Sequence, residues 1–528
     1  AGLELQYEEI LKANKGSMKI PFDAKGHPVK IYSERYEAPG QGMDVMLTID
    51  TRIQSILERE LNNAMERYNP DSAWGLAMNP NTGEILAMVS KPDFDPNAPP
   101  RDDVEALNEL MRNRIITDAY EPGSTFKILT AASALDAGVT DPGEGFYCSG
   151  TIRVDGDRIR CWGNPHGAES MAQGLQNSCN PVFVELGLRL GAERFYTYLD
   201  AFGIGSATGI DLPGEASGIR IALNNVKRVD MARIGFGQSI AMTPLQLMTA
   251  ACAAVNGGYR MKPYIVEEIR SGSGEVLESA KPEVMARPIS EKTSKTMRGL
   301  LENVVEKGGG RNAYLSNYRV AGKTGTAQVY KDGRVTRDTH IGSFIGFAPA
   351  DDPQIGVLVI VDEAEKRPDF GSVTAAPFAK QILERSLNYL GAAPRVSNEE
   401  PLRQVQVPDV TGMDTLQAER LLKENGLKAM LSGSGMKVIE QLPSAGAQVT
   451  EQSLVMLYVE GTPDLSENHA VEVPDVTGKS IVEANRLLRS YGLEMEISGS
   501  GVAIAQEPAA GKKVLPTTKI KVSFESPG

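Results

Sequence analysis

The sequence predicts an α/β domain built on an antiparallel sheet, followed by two small modules of βαβ type. Three observations carry this reading. Hairpin patterns stand at residues 73–90 and 343–361, the stretch between them is mostly helical, and one hexapeptide recurs late in the chain.

Residues 1–45 have no clear core pattern and are broken at Gly16, Gly26 and Pro39-Gly40, so they are expected to be an extended piece or the end of a larger domain. From Thr48 the patterning tightens. Thr51 is placed to cap a helix whose Ile53, Ile56, Leu57, Leu61 and Ala64 form one apolar stripe. Ala73 to Ser90 then reads as a hairpin turning at Asn79-Pro80-Asn81-Thr82-Gly83. Phe126 to Ala137 reads as a helix closed by Gly138. Val154-Asp155-Gly156-Asp157 reads as a tight hairpin turn, with both aspartates as turn residues. Trp162 is expected to be a core anchor, and His340, just before a strand, to be structural. The closing hairpin pairs Ser343–Phe347 with Ile355–Val361 around Ala350-Asp351-Asp352-Pro353. The domain is therefore bounded at 46–392, with 393–404 as a linker.

Beyond the linker, Val407-Pro408-Asp409-Val410-Thr411-Gly412 returns as Val473-Pro474-Asp475-Val476-Thr477-Gly478. Each copy continues with a short helix, a Gly-Leu stop, a Ser-Gly-Ser-Gly turn, a Pro-x-x-Gly turn and an alternating final strand. The modules span 405–461 and 471–526. Repeats of this size bind or space more often than they catalyse.

Length and composition limit the function. At 528 residues the chain exceeds one ordinary core, and two to four domains are expected. The net charge of −13, spread along the chain, argues against a nucleic-acid partner, whose phosphates it would repel. No run approaches the roughly 18 apolar residues of a membrane span, and Ala1-Gly2-Leu3-Glu4 is no signal peptide. Four cysteines do not mark a disulfide scaffold.

The chemistry begins at Glu121-Pro122-Gly123-Ser124-Thr125-Phe126-Lys127. Residues three apart share a helix face, so the Lys127 amine is expected to reach the Ser124 hydroxyl and activate it. Ser434-Gly435-Met436-Lys437 repeats the spacing, but the matching segment of the other module, Ser500-Gly501-Val502-Ala503, lacks the lysine, so that copy is turn chemistry. Only Ser124 is followed within its own domain by Ser178-Cys179-Asn180 and then Lys323-Thr324-Gly325-Thr326. Ser466-Glu467-Asn468, a second Ser-x-Asn, falls between the modules. The ordered set of three is far more specific than any of its parts.

Those motifs, together with Gly235-Phe236-Gly237-Gln238-Ser239 and Thr243-Pro244, resemble the class B penicillin-binding proteins, and the late repeats resemble PASTA modules. The resemblance covers nearly the whole chain. It implies a penicillin-recognising serine transpeptidase fold, with helices on both faces of the sheet and an all-helical subdomain. It implies a peptidoglycan D,D-transpeptidase that forms a serine acyl-enzyme, releases D-alanine and is inhibited covalently by β-lactams. Cys148-Ser149-Gly150, Cys161-Trp162 and Gly2-Leu3-Glu4-Leu5-Gln6-Tyr7 are most similar to the sporulation branch of that family, while a vegetative division transpeptidase stays open.

On this resemblance Ser124 is the nucleophile and Lys127 its base, neutral through burial and the nearby charge of Lys323. Ser178 is a candidate relay and Asn180 a hydrogen-bond partner for the peptide. Gly325 leaves the strand edge bare between Thr324 and Thr326, so that a peptide can lie there as an added strand. The backbone N–H groups of Ser124 and Thr326 form the oxyanion hole.

The implied partners are stem peptides or a lipid-linked precursor, β-lactams and a membrane glycosyltransferase. The implied place is the outer face of the membrane of a Gram-positive-type bacterium, anchored in full length, with this chain a soluble truncation carrying the end of the pedestal domain. No cofactor is expected for catalysis. A serine β-lactamase would need a second base, for which Glu185 in its apolar stretch is a poor match. A non-catalytic muropeptide-binding scaffold is the third reading.

Cys148, Cys161, His166 and Cys179 form a separate cluster in the sequence. Soft thiolates with an imidazole suit structural zinc, and the turn at Asp155-Gly156 would bring Cys148 back to Cys161 while carrying Asp155 away. Buried free thiols and a Cys148–Cys161 disulfide remain alternatives.

Overall fold

A computed structural model of the chain describes residues 2–13, 17–19, 25, 35–37, 42–331, 334–365 and 369–394. Further on it describes 404–432, 435–442, 445–446, 448–450, 454–459, 471–479, 484, 487–488, 493–499, 502–514 and 518–525. The chain divides into two compact units, Ala1–Val396 and Ser397–Gly528.

The first unit opens on short helices at Gly2–Gln6 and Glu8–Leu11. Asp44–Leu47 pairs with Val266–Arg270, tying the leading segment to the domain. Helix α1 (Thr51–Tyr68) follows, capped by Asp50, whose carboxylate accepts from Arg52 N and Ile53 N. The cap lies one residue before the expected Thr51 because Asp50 already holds the extended cap conformation. Ile53, Leu57, Leu61 and Ala64 of the stripe are fully buried, and Ile56 is half-buried.

The hairpin of β1 (Ser72–Met78) and β2 (Ile85–Lys91) comes next. After α2 (Lys127–Asp136) the chain forms β3 (Gly145–Cys148), the hairpin β4 (Thr151–Val154) and β5 (Asp157–Arg160), and β6 (Gly167–Ser170). Helices α3 (Met171–Gln176), α4 (Asn180–Leu190), α5 (Pro244–Ala253) and α6 (Glu291–Lys307) follow. The unit closes with β7 (Ala321–Lys331), β8 (Arg334–Ala348), β9 (Ile355–Asp362) and α7 (Ala376–Leu390).

The five long strands form one antiparallel sheet in the order β7-β8-β9-β1-β2, so the opening and closing hairpins meet where Val361 faces Ala73. Alternation along the strands separates two cores. Ala73, Ala77, Val357 and Val359 join α1 and α7 on one face. Trp74, Leu76, Leu358 and Ile360 join α2, α4 and α5 on the other. Gly75 lets α1 approach closely, since a Cβ there would lie 2.7 Å from Leu57 Cδ1. This is the fold the resemblance implied: an antiparallel sheet covered by helices on both sides.

Each late module has the same internal logic. In the first, α8 (Thr415–Glu424) leads to β10 (Lys428–Ser432), β11 (Val438–Leu442) and β12 (Leu454–Val459), with β12 parallel to β10 and antiparallel to β11. In the second, β13 (Glu494–Gly499), β14 (Val502–Glu507) and β15 (Lys519–Glu525) repeat that pairing. A glutamine staples the hexapeptide in both. Gln441 accepts from Val410 N at 2.7 Å and donates to Pro408 O, and Gln506 does the same to Val476 N and Pro474 O. Most of the second module's helix, Ser434 and Ser500-Gly501, the Ser466-Glu467-Asn468 segment and the linker from 395 to 403 lie outside the described residues. No helix among the described residues is long and apolar enough to cross a membrane.

Candidate active site

Ser124 lies in a 3-10 turn, Gly123–Phe126, that runs directly into α2, so Lys127 opens the α-helix one turn after it. Two neighbours clasp this turn. Tyr120 exchanges backbone hydrogen bonds with Met242 at 3.1 and 3.0 Å, Gly123 N donates to Gly237 O at 3.0 Å, and Ser239 N donates to Glu121 Oε1 at 2.9 Å. On the other side lies β7.

Glycines make the close fit possible. A Cβ on Gly237 would fall 2.1 Å from Gly123 O, and one on Gly123 would fall 2.8 Å from Thr326 O. A Cβ on Gly325 would sit 2.3 Å from Ser343 Oγ and 2.9 Å from Thr125 Cγ2. Gly325 therefore faces the nucleophile turn, and its role differs from the expected bare edge: it lets the serine turn rest on the strand. The strand edge itself is free for another reason. β7 is the outermost strand of the sheet, and among the described residues its outer side is not paired with another strand.

Both lysines are fully buried and aim at the second motif. Lys127 Nζ donates to Ser178 O at 2.7 Å, Asn180 Oδ1 at 2.7 Å and Ser178 Oγ at 3.2 Å. Lys323 Nζ donates to Ser178 Oγ at 3.0 Å and to Thr324 O at 3.0 Å. Ser178 Oγ thus joins the two amines. Among the described hydrogen bonds none joins Lys127 to Ser124, whose hydroxyl is left without a protein partner. The amine expected on the nucleophile is turned to the second motif instead, because three acceptors wait there.

Burial draws the Lys127 amine down from 10.5 to about 7, against the opposing pull of Cys161, Cys179 and Glu169. Lys323 is pushed well below the usual lysine range, first by burial and then by the charge of Lys127. Of the two expected causes, burial is the one that acts first on Lys127, and the repulsion between the amines falls on Lys323.

Ser178 adopts φ +55°, a left-handed conformation rare for a residue with a Cβ. It is held there by Ser178 N to Leu175 O at 3.2 Å and Cys179 N to Gly174 O at 2.8 Å. Asn180 begins α4 with both ends of its amide engaged, accepting from Lys127 and donating to Arg160 O at 3.0 Å. It is thus a brace within the protein, a role the expected contact with peptide did not include. Thr326 Oγ1 accepts from Gly371 N at 3.3 Å, a support nothing in the local sequence signalled.

Behind the second motif, the donor atoms of Cys148, Cys161, His166 and Cys179 all lie within 4.8 Å of one another. No disulfide joins the four cysteines in the structure. The β4–β5 turn carries Asp155 away to Arg228 and Asp157 to Arg233, as expected of turn residues. Trp162 corrects its expectation. It is 66% exposed, and its indole donates to Asn177 O at 2.9 Å, bracing the loop from outside rather than anchoring a core. His340 pairs with the buried Asp369 at 2.9 Å.

Residues 74–384 match the family model described as penicillin binding protein transpeptidase domain, and 405–461 and 471–526 each match PASTA domain. The chain is 45% identical to stage V sporulation protein D of Bacillus subtilis over 467 residues, covering 87% of this chain and 72% of that one. It is 34% identical to probable peptidoglycan D,D-transpeptidase PenA of Neisseria meningitidis over 397 residues, covering 74% of this chain and 65% of that one. Penicillin binding protein 3 from Mycobacterium tuberculosis, solved with ampicillin, superposes with TM-score 0.66 at 26% identity, covering 75% of this chain and 86% of that one. Penicillin binding protein 2X from Streptococcus thermophilus shares the fold with TM-score 0.63 at 23% identity, covering 99% of this chain and 78% of that one.

Proposed function

The chain belongs to the penicillin-binding protein transpeptidase family, and from that premise we propose that it cross-links peptidoglycan stem peptides through an acyl-enzyme on Ser124. It is a serine-type D,D-transpeptidase. The observation that carries the assignment of residues is the meeting of Lys127 and Lys323 on Ser178 Oγ, with Lys127 one helical turn beyond Ser124, whose hydroxyl has no hydrogen-bond partner among the described residues.

On this reading Ser124 Oγ attacks the carbonyl of a terminal D-Ala-D-Ala, and its proton passes to the neutral Lys127 amine. The N–H groups of Ser124 and Thr326 hold the oxyanion, each donor contributing about 3 kcal/mol. Ser178 Oγ accepts from both lysines, so it can give its proton to the departing D-alanine amine while Lys127 passes on to Ser178 the proton it took from Ser124. The amine of a second stem peptide then takes the acyl group. The donor peptide lies along the outer edge of β7 beside Thr324, Gly325 and Thr326, its carboxylate drawn to Lys323. A carboxylate there favours the charged form of Lys323, and repulsion between the amines then favours the neutral form of Lys127.

The similarity to stage V sporulation protein D supports a role in making the spore cortex, at the outer face of the membrane of a Gram-positive-type cell. Such an enzyme needs glycan strands, so a membrane glycosyltransferase acting on lipid-linked precursor is its natural partner.

Incubation with benzylpenicillin is expected to leave one stable adduct per chain, on the peptide containing Ser124, with no adduct in Ser124→Ala. An adduct elsewhere would overturn the assignment. Sustained hydrolysis of the drug would instead mean a β-lactamase. Glu185 does not offer that second base, since its carboxylate is engaged by Arg189 at 2.6 Å on the exposed side of α4.

Acylation also has an expected pH profile. Only the deprotonated amine accepts a proton, so the rate rises as pH increases through about 7 and levels off above. A second-order rate constant that stayed flat from about pH 5 to about pH 9 would remove Lys127 as base.

A further inference from the structure

The hairpin of β4 and β5 carries an unbalanced charge. Its cross-strand partners are Thr151 with Arg160, Ile152 with Ile159, Arg153 with Arg158 and Val154 with Asp157. Side chains alternate along each strand, and partners share a face. Ile152, Val154 and Ile159 turn inward, where they join the core shared with α4. Arg153, Arg158 and Arg160 turn outward, and all three are exposed. Among the described residues none of the three guanidinium groups has a hydrogen-bond or ion-pair partner. The hairpin's ion pairs are made at its turn instead, Asp155 with Arg228 at 3.4 Å and Asp157 with Arg233 at 2.8 Å.

That arrangement gains nothing for the fold. Arginines directly opposite one another repel, and a chain of net charge −13 has acids to spare for pairing them. The planar guanidinium fork matches a carboxylate in two-pronged geometry. Three such forks on one face, with no acid among them, make a surface complementary to an anion from outside the chain.

The face stands beside the cleft. At one end Arg160 O accepts from Asn180 Nδ2 at 3.0 Å, which fastens the hairpin to the second motif. At the other, Asp157 holds Arg233 of the helix Arg228–Ile234. That helix runs into the loop whose Gly237 O accepts from Gly123 N in the serine turn. The hairpin therefore ties together two elements that flank Ser124. A stem peptide held at Ser124 by its D-Ala-D-Ala end has its acidic residues upstream, about 3.3 Å farther along for each residue of extended chain.

We propose that Arg153, Arg158 and Arg160 bind the side carboxylates of the stem peptide whose D-Ala-D-Ala end is bound at Ser124. The inference rests on the transpeptidase reading and adds a recognition element to it. The arginines take no part in the bond changes. They favour a substrate with free carboxylates over one whose carboxylates are amidated. The choice of the substrate peptide as occupant follows from place, since the hairpin is fastened to the same two elements that position the serine.

In the test, two synthetic pentapeptides ending in D-Ala-D-Ala compete with fluorescent penicillin for Ser124 of the full chain. Both keep the C-terminal carboxylate; one has its side carboxylates free and the other has them amidated. The free acid is expected to compete about 5-fold better or more, an advantage that shrinks as salt rises from about 0.05 to about 0.5 M. Arg153→Gln combined with Arg158→Gln should abolish the advantage and leave labelling without competitor unchanged. Arg153→Lys combined with Arg158→Lys should keep part of it, which separates loss of charge from loss of shape.

Equal competition by the two peptides on the natural chain would overturn the proposal. So would an advantage that survives in the glutamine variant; if that variant also lost binding to phosphatidylglycerol vesicles, the face would belong to a membrane surface. Labelling of Ser124 without competitor reads the acylation site alone, so failure of the transpeptidase reading and failure of the arginine face remain distinct results.

Discussion

Lys127→Met is expected to abolish acylation and, at about pH 6, to make the protein more stable. The first half follows from removing the only amine that stands one helical turn beyond Ser124, a loss of about 1,000-fold or more in acylation rate. The second follows from linkage. The amine titrates at 10.5 when exposed and at about 7 when buried, so below pH 7 the fold carries the full cost of a desolvated ammonium. That cost is roughly 5 kcal/mol, and it fades as pH rises from about 7 to about 10.5, because the unfolded chain then loses its proton too. Methionine fills similar space without charge.

It leaves Ser178 O and Asn180 Oδ1 short of a donor, at about 1–3 kcal/mol each, which offsets much of the gain. The difference between two pH values is free of that offset. The advantage of methionine should fall by about 3 kcal/mol between pH 6 and pH 9 in urea unfolding of the two proteins. A constant difference would mean that the lysine is not held neutral by burial.

Gly237→Ala is expected to disable the site without touching a reacting group. Gly237 has φ +85°, and an alanine Cβ would fall 2.1 Å from Gly123 O and 2.8 Å from Phe126 Cβ. The turn that carries Ser124 must give way, because the obstacle is backbone. A displacement near 1 Å costs about 100-fold in rate, and strain with steric conflict costs about 3 kcal/mol in stability. Gly138→Ala is the control. Gly138 also has positive φ, at +65°, but nothing lies within 4 Å of its added Cβ. It should lose about 1 kcal/mol and keep its acylation rate. Equal acylation by the two variants would show that the glycine contact does not position the serine.

The sheet was legible because the 73–90 and 343–361 hairpins alternate with period two around Asn, Gly, Asp and Pro turns. Their junction at Val361 and Ala73 was not, since pairing across the length of a domain leaves no mark in a local window. The three motifs were visible through rare residue types in order. What each residue does within them was less so. The Lys127 amine turns from Ser124 to Ser178 because of acceptors 51 and 53 positions away. Gly325 is small for the sake of Thr125 and Ser343, contacts that a single strand does not announce.

Cys148, Cys161, His166 and Cys179 drew attention through scarcity, being half of the chain's few cysteines and histidines. Glu169 had no such signal among so many acids. Trp162 was misplaced because an aromatic reads as core, whereas a loop carbonyl at Asn177 holds this one at the surface.

The meeting of β9 with β1 also governs how the molecule comes into being. Ser72 Oγ donates to Asp362 Oδ2 across 290 positions, and the strands joined there lie at the centre of the sheet. Until β9 leaves the ribosome, β1 is paired with β2 alone and its other edge is open, so the chain must keep an apolar hairpin waiting through most of its synthesis. Lys323 reaches Ser178 from β7 of the same sheet, also late in the chain. A nascent chain that ends before β7 is therefore expected not to acylate, because it lacks Lys323 and the strand on which the serine turn rests.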